Sequence, residues 1–331
     1  MQLGVALSQN DSWHFFQDIY DDFKSHYQVE VFQYQQTKLP FFQERINKRN
    51  FRNKLSRFLK SKDVVFFEWA SGLLAAATQL PKEGKIVTRL HSFELYEWAS
   101  KIKWDNVDKV ILVSNAMQQR FCNLYPEQSH KSIVIYNGIP LEKFKPLMPH
   151  EFHWKLGMVS SIAPIKRIYE VVLLLYSLHV HGVNASLHIA GKPTGDFRYF
   201  AAIQRIVDEL GLNQNVTFDG FITDIPNWLQ NIDIFISNSF WEGQQTALLE
   251  AMATGVYCLS HNWAGADEIL PLENLYFTEE EVVRKIKEYS HFSDVEKQRM
   301  GDLMRTIACE KFDAKQTKMK IRQVIDEIGL L

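Results

Sequence analysis

The sequence has little cysteine, glycine and proline, and it contains no long hydrophobic run. Its cysteines, Cys122, Cys258 and Cys309, are widely spaced and form no Cys-x-x-Cys pair, so neither a disulfide framework nor a cysteine zinc site is expected. Fifteen glycines and ten prolines in 331 residues exclude a collagen-like or low-complexity chain. The longest apolar run begins at Val171 and falls far short of the roughly 20 residues that span a bilayer. We expect a globular protein from a reducing compartment.

Aromatic residues are abundant, and the 23 Phe, 12 Tyr and 8 Trp exclude a disordered chain. The length allows roughly two domains of about 150 residues each. Short apolar segments alternate with longer helical patterns, as in parallel sheets that helices cover on both faces. The predicted strands are residues 3–7, 29–32, 64–67, 86–89, 110–113, 133–136, 155–159, 186–190, 216–219, 234–237, 257–260 and 276–277. The predicted helices are residues 15–27, 42–60, 71–80, 93–101, 115–125, 168–181, 197–210, 225–231, 247–254, 279–290 and 312–331.

A stretch of helix and strand breakers between Asn137 and Pro149 separates the two sets of elements. We place the domain boundary there, with an N-terminal domain over residues 1–148 and a C-terminal domain over 149–311. Both are expected to be doubly wound, Rossmann-like α/β domains. Parallel sheets of this kind bind ligands beyond the carboxyl ends of their strands, so we expect the active site in a cleft across which the domains face each other.

A strongly basic segment covers residues 38–62. It carries nine Lys or Arg against Glu44 alone, a net charge of +8, so the rest of the chain carries −10 within the overall −2. Phe51, Leu55, Phe58 and Leu59 recur at helical spacing, which predicts an amphipathic basic helix. Such a face suits an anionic membrane surface or a phosphorylated ligand. The alternative is an ordinary solvated face above a core stripe.

The densest polar cluster of the C-terminal half runs from Ser237 to Gly255. It follows an apolar strand, turns at Glu242 and Gly243, and enters an apolar helix that ends at Gly255. Free backbone N–H groups at the start of that helix, near residues 244–247, would suit a phosphate. Glu250 lies about two turns into the helix, where a carboxylate can accept hydrogen bonds from sugar hydroxyls.

The pair Glu242 and Glu250, with seven residues between them and followed by Ala251-Met-Ala and Gly255, resembles the E-x7-E block of the retaining GT-B glycosyltransferases of family four. Other blocks resemble that family in the same order along the chain. They are Arg89-Leu-His91, Val113-Ser-Asn115, Tyr136-Asn-Gly-Ile139, the segment from Met158 to Lys166, Leu187 to Gly191, Val216 to Phe221, and Gly265-Ala-Asp-Glu268. The resemblance covers most of residues 85–330 and implies a GT-B fold.

The resemblance implies an enzyme that moves a hexose from a UDP- or GDP-sugar to a glycan or lipid-linked acceptor, with retention of configuration and with neither metal nor cofactor. Lys166 would neutralise the departing diphosphate. The family Arg five residues earlier is replaced by Ser161, and we infer that Arg167 supplies the missing charge. Glu242 would contact the sugar and Glu250 the ribose. The remaining predicted donor contacts are Gly243, Gln244, Gln245 and Thr246, where Gln244 and Gln245 replace a common Phe-Gly pair.

In the first domain, His91 matches the family histidine that faces the donor near the reacting carbon. Glu68 and Trp69 follow the preceding strand and are acceptor-side candidates, or else a buried loop anchor. The first βα loop, Ser8 to Asp11, lacks the family glycines. A final helix over 312–331 would cross back to the first domain, or it would stay on the second.

Each site residue also has a plain structural alternative. Glu242 would be an exposed loop carboxylate, Glu250 a solvent-facing helix residue, and His91 a side chain bonded to a loop carbonyl. Without an assignable nucleophile in the first domain, a same-face transfer is favoured over a covalent intermediate. Rival functions are an epimerase, a phosphorylase, or a non-catalytic sugar-nucleotide-binding partner of an active enzyme. We expect a cytoplasmic protein that contacts the inner face of the membrane and no nucleic acid.

Overall fold

The computed structural model describes residues 1–7, 13, 16–34, 43–148 and 151–330. Several sequence predictions lie outside these residues: the loop Ser8 to Asp11, Phe15, Lys38, Phe41 and Phe42 of the basic segment, the boundary at 148–149, and Leu331. All twelve predicted strands are confirmed. They are β1 Gln2–Ala6, β2 Gln28–Val31, β3 Val64–Phe67, β4 Lys85–Leu90, β5 Lys109–Leu112, β6 Ser132–Val134, β7 Lys155–Val159, β8 Ser186–Ala190, β9 Val216–Gly220, β10 Ile234–Ser237, β11 Tyr257–His261 and β12 Leu275–Tyr276.

Twelve α-helices lie in the described residues. They are α1 Gln17–His26, α2 Gln43–Lys60, α3 Gly72–Ala77, α4 Glu94–Glu97, α5 Asn115–Leu124, α6 Ile168–Val180, α7 Phe197–Glu209, α8 Ile225–Leu229, α9 Thr246–Thr254, α10 Glu279–His291, α11 Asp294–Lys311 and α12 Ala314–Gly329. None of these helices is long and apolar enough to span a bilayer. The helix predicted over 93–101 is instead the short α4 and a separate 3₁₀ turn, because Trp98 has a non-helical φ of −123°.

The chain forms two compact units, one of Met1–Tyr136 with Lys315–Leu331 and the other of Asn137–Ala314. The first unit contains a six-stranded sheet in the order β2-β1-β3-β4-β5-β6. Every pairing in this sheet is parallel. The strand order reverses between β1 and β3, which makes that point the topological switch of the sheet.

The core of the first unit lies under α1 and α12. Phe16 and Phe23 pack on Phe66 of β3, with ring centroids 5.8 and 5.3 Å away. Ile321 and Ile325 of α12 are fully buried in the same cluster. The helical spacing of these apolar residues is what buries one stripe of the terminal helix.

The second unit contains a parallel six-stranded sheet in the order β12-β11-β10-β7-β8-β9. This is the strand order of a dinucleotide-binding Rossmann sheet, and its switch point lies between β7 and β10. Its strands are almost wholly apolar because α6 and α7 and the helices α9 to α11 cover the two faces.

Helix α11 has no counterpart among the sequence predictions. Its start is a capping box in which Ser293 and Glu296 bond reciprocally, a signal that the sequence carried. Gly301 lets α11 approach α9 closely, since a Cβ there would lie 2.4 Å from the carbonyl oxygen of Gly255. This tight packing fixes the end of the helix that carries Glu250.

Candidate active site

The predicted donor residues of the second unit lie at its switch point. The loop after β7 carries Ser161, Lys166 and Arg167, and the loop after β10 leads through Glu242 into α9. Because β7 and β10 are adjacent and parallel, their carboxyl ends meet at one edge of the sheet. Open α/β sheets bind their ligands in this crevice.

Lys166 and Glu242, which are 76 residues apart in sequence, are brought into direct contact. The Lys166 Nζ donates to Glu242 Oε1, and the Ser239 hydroxyl donates to the same oxygen at 2.7 Å. The two charged side chains are only 17% and 13% exposed. Glu242 is therefore a partly buried, oriented carboxylate rather than an exposed loop residue.

Arg167 adopts a left-handed backbone conformation, φ 52° and ψ 42°, at the start of α6. Asn238 holds that conformation by donating from its side-chain amide to the Arg167 carbonyl at 3.1 Å. The guanidinium Nε lies 3.5 Å from Glu170. Burial first, and then the Arg167 charge, lower the pKa of His261 at the end of β11. The charge of Arg167 thus acts near the carboxyl ends of the strands. Ser161, which is partly exposed, lies in the same loop after β7.

Gln244 and Gln245 point into the protein and are 8% and 5% exposed. The Gln244 Oε1 accepts from the backbone N–H of Asn137 at 2.5 Å. The Gln245 Oε1 accepts from the Ser237 hydroxyl at the end of β10. These bonds tie the loop from Gly243 to Thr246 to the backbone of Asn137 and to the end of β10.

The amino end of α9 has no side-chain cap, because Gln245 occupies the capping position with its amide turned to Ser237. The first-turn N–H groups from Thr246 onward therefore have no capping side chain. Together with the helix dipole, they form a site that favours an anion such as a phosphate.

Glu250 lies further along α9 and is not a solvent-facing residue. It is partly buried, and burial raises the pKa of its carboxyl from 4.5 to about 7. No described residue donates a hydrogen bond to this carboxylate. A carboxylate in such a place is available to accept bonds from a ligand hydroxyl.

Several buried polar atoms around these strand ends have no partner among the described residues. They are the Ser160 hydroxyl after β7, Nδ1 of His261 after β11, and the amide nitrogen of Gln244. Buried polar groups in folded proteins are nearly always hydrogen-bonded. Their position at neighbouring strand ends indicates where ligand atoms would complete the hydrogen bonding. Among the described residues, no group of three or more His, Cys, Asp or Glu could hold a metal ion.

The first unit has its own polar cluster where β3 and β4 end. Glu68 follows β3 and is fully buried, whereas His91 follows β4 with 14% of its side chain exposed. The His91 Nε2 lies 3.1 Å from Glu68 Oε1, and Arg89 Nη1 lies 3.3 Å from the same oxygen. His91 is thus bonded to a carboxylate, not to the loop carbonyl considered as its alternative partner.

Aromatic and capping contacts surround His91. The Trp69 ring lies against the imidazole, with centroids 4.1 Å apart and planes 31° apart. Glu94 accepts the backbone N–H groups of His91 and Ser92 at 3.2 and 2.9 Å. Burial raises the pKa of Glu94. Both the ring and the backbone of His91 are held in place.

Sequence reasoning missed three residues that organise these sites, namely Arg89, Asn238 and Ser239. Arg89 and the run Ser237-Asn-Ser239 were visible as parts of motifs, but nothing in their spacing assigned their partners. Each partner comes from another strand or loop, so only the folded chain brings them together.

Two family models match the chain, one in each half. The model described as Glycosyltransferase Family 4 matches residues 11–143, and the one described as Glycosyl transferases group 1 matches residues 155–289. The second match contains the loops after β7 and β10 with Lys166, Glu242 and Glu250.

A curated relative is the UDP-Gal:alpha-D-GlcNAc-diphosphoundecaprenol alpha-1,3-galactosyltransferase of Escherichia coli, 29% identical over 150 residues. The match covers 41% of this chain and 38% of that protein, so the chain spans well under half the length of this relative.

Two solved structures share the fold over nearly the whole chain. Anabaena Alr3699/HepE in complex with UDP and glucose has a TM-score of 0.79 at 18% identity, covering 98% of this chain and 99% of that one. The sucrose-phosphate synthase of Thermosynechococcus elongatus has a TM-score of 0.79 at 12% identity, with 99% of both chains covered. With two parallel Rossmann-like sheets and a family model matching each half, this chain belongs to the glycosyltransferases of the GT-B fold.

Proposed function

We propose that this protein is a retaining glycosyltransferase that moves a hexose from a UDP- or GDP-sugar to a hydroxyl of a glycan or lipid-linked acceptor without a metal. The observation that carries the proposal is the Lys166–Glu242 pair at the switch point of the second unit. The Escherichia coli relative, whose name states a UDP-sugar donor and a diphosphoundecaprenol acceptor, supports this donor and acceptor class.

The N–H groups of Thr246 and Ala247 at the start of α9 have no partner among the described residues. Together with the cations of the β7 loop, they suit a nucleoside diphosphate. Lys166 and Arg167 would stabilise the charge that develops on the departing diphosphate, which is the role a metal ion plays in other enzymes. Glu242 has its Oε1 occupied by Lys166 and Ser239, and its other oxygen would accept from the sugar hydroxyls. Glu250 would accept from the ribose.

We favour a same-face transfer because the carboxylates of the first unit beside His91 are not available as nucleophiles. In it the anomeric C–O bond breaks with its electron pair going to the phosphate oxygen, the acceptor oxygen attacks from the same side, and its proton passes to that phosphate. A covalent route needs an accessible carboxylate nucleophile. The two carboxylates beside His91, those of Glu68 and Glu94, are fully buried. Glu68 forms an ion pair with Arg89, and Glu94 accepts two backbone N–H groups. Neither is free to attack a sugar.

The test is transfer or slow donor hydrolysis with radiolabelled UDP- and GDP-sugars, with and without EDTA, and with polyprenyl-diphosphate sugars as acceptors. We expect one donor to be consumed at a rate that EDTA leaves unchanged, giving a product of retained configuration. Binding of a sugar nucleotide without turnover under every condition would instead favour the non-catalytic partner. Inverted product would contradict the retaining mechanism.

Arg167 can be tested without disturbing the backbone. Its φ of 52° is one that glycine adopts freely, so R167G should fold at least as stably while losing the guanidinium. We expect kcat to fall about tenfold in R167G, because one charge near the leaving group is lost. Adding S161R to R167G should restore most of the rate. An unchanged rate in R167G would show that Arg167 does not replace the missing arginine.

We further propose that α2 brings the enzyme to an anionic membrane. Phe58, Leu59 and Leu55 are buried beneath the helix, whereas its cations face solvent. Six of these cations form no ion pair with any described residue: Arg45, Lys48, Arg49, Arg52, Lys54 and Arg57. Lys60 pairs with Glu83 at 3.5 Å. Lys62, which lies beyond the end of α2, is buried and pairs with Glu30. Unpaired cations of this density attract anionic lipid headgroups.

Sedimentation with phosphatidylglycerol vesicles tests this surface. Replacing Arg45, Arg49, Arg52 and Arg57 with Ser should lower the bound fraction to less than about half, and high salt should do the same to the wild type. The matched control removes four exposed arginines of the second unit, Arg198, Arg205, Arg284 and Arg299, and should keep binding. Equal loss in both variants would indicate a general charge effect and contradict a role of α2.

A further inference from the structure

The buried carboxylate of Glu68 has the geometry of a group that acts on His91 and not on a substrate. It is fully buried, so an acceptor cannot reach it. Its Oε1 lies 3.1 Å from His91 Nε2 and 3.3 Å from Arg89 Nη1. This placement follows from the parallel pairing of β3 and β4, whose ends bring Glu68 beside Arg89 and His91.

The chemistry of these contacts fixes the imidazole tautomer. With the always-charged Arg89 beside it, the Glu68 carboxylate can only accept hydrogen bonds. The proton of a neutral His91 ring therefore lies on Nε2, and Nδ1 keeps its lone pair. No described residue bonds to Nδ1, so this nitrogen is left to accept a hydrogen bond from a ligand.

The ring orientation is restrained in two directions. The Glu68 bond acts in the plane of the imidazole, and Trp69 lies against its face at 4.1 Å. Glu94 holds the His91 backbone through the N–H at 3.2 Å. These contacts leave one polar atom of the ring, Nδ1, without a partner among the described residues.

We propose that Glu68 is a positioning residue that holds His91 as the Nε2–H tautomer, so that Nδ1 accepts a hydrogen bond from a substrate hydroxyl. The inference rests on the proposed function, in which His91 contacts a sugar substrate. Arg89 compensates the charge of Glu68, so a neutral imidazole can be held without a net buried charge.

The tautomer can be measured without any substrate. Two-bond ¹H–¹⁵N spectra of the full-length protein with ¹⁵N-labelled histidine distinguish Nε2–H from Nδ1–H rings, and H91Q identifies the His91 signals. We expect the Nε2–H tautomer in the wild type and a mixed or Nδ1–H ring in E68Q, because a glutamine amide can also donate. The control is D108N. Asp108 accepts from the Ile86 N–H at 2.7 Å and pairs with Lys82 near the amino end of β4, away from His91.

The E68Q change leaves Arg89 without its carboxylate, which can destabilise the fold. The double variant E68Q/R89Q removes both charges and keeps the inference testable should E68Q fail to fold. In either variant we expect kcat to fall roughly 30-fold with the donor KM little changed, since orientation and not binding is lost. D108N should retain both values.

The two readouts separate the inference from the proposed function. If the wild type transfers no sugar, the proposed function fails, while the spectra still report whether Glu68 sets the tautomer. A wild-type Nδ1–H ring, or an Nε2–H ring that persists in E68Q and in E68Q/R89Q, would overturn the inference. So would a drop in kcat that D108N reproduces.

Discussion

Replacing Lys166 with glutamine is expected to lower kcat for sugar transfer by about 10²- to 10³-fold, the usual loss when one preorganised charge-stabilising donor is removed. The Lys166 side chain is only 17% exposed and its ammonium is held by Glu242, so its position is fixed before substrate arrives. Donor KM should change much less, because the charge on the phosphate grows only as the glycosidic bond breaks.

Matched variants separate charge from structure at Lys166. K166R should recover part of the rate, since it keeps the positive charge but has a planar head group. K155Q removes a lysine from the first residue of the same strand, β7, and should leave kcat unchanged. Steady-state kinetics on the three variants measure kcat and the donor KM. Equal rates for K166Q and K155Q would remove Lys166 from the reaction.

The E250Q variant is expected to bind nucleotide more weakly and yet to be more stable at pH 8. Losing two charged hydrogen bonds to the ribose, each worth about 1.5 kcal/mol, weakens binding by about 3 kcal/mol, or roughly 150-fold. Calorimetric titration with UDP and GDP measures this loss. UDP that lacks its ribose hydroxyls should bind E250Q and the wild type with the same affinity. If E250Q lost as much affinity for that ligand as for UDP, the ribose contact would be contradicted.

The stability effect follows from the raised pKa of Glu250, about 7 against an ordinary 4.5. Below pH 4.5 the carboxyl is protonated in both the folded and the unfolded chain. Between pH 4.5 and 7 the folded state alone keeps its proton, so stability falls as the pH rises. Above pH 7 the buried charge costs about 3 kcal/mol.

Glutamine at position 250 avoids this cost. The stability of E250Q relative to the wild type should therefore rise by about 3 kcal/mol between pH 4.5 and pH 8, as measured by urea unfolding. E209Q, at a carboxylate that is 65% exposed on α7, is the control and should show no such rise. Parallel pH profiles for E250Q and the wild type would mean that Glu250 is not the buried acid described above.

Local patterns predicted the elements well. Every strand was found because short β-branched and aromatic runs between breakers are a local signal. The Glu242 and Glu250 spacing likewise placed both residues correctly around the start of α9. Helix α11 was missed because most of its residues are exposed and its apolar stripe is weak, although Ser293 and Glu296 marked its start.

The sequence predicted the residues of the site but not the contacts between them, because local patterns do not show which distant residues meet. Lys166 and Glu242 could each be named, but their contact spans 76 residues and depends on β7 lying next to β10. The sequence allowed two roles for Glu68, a contact with the acceptor or a buried anchor of the loop. In the structure it is fully buried and contacts Arg89 and His91, which only the packing of neighbouring strands could show.

The sequence by itself determined the two α/β halves, their strands and the order of the motifs, because these depend on residues close together in the chain. The tertiary structure alone decided which polar groups meet, which carboxylates are shielded from water, and which way Gln244 and Gln245 point. Those properties arise where ends of adjacent strands converge, and strand adjacency is set by the packing of the whole sheet.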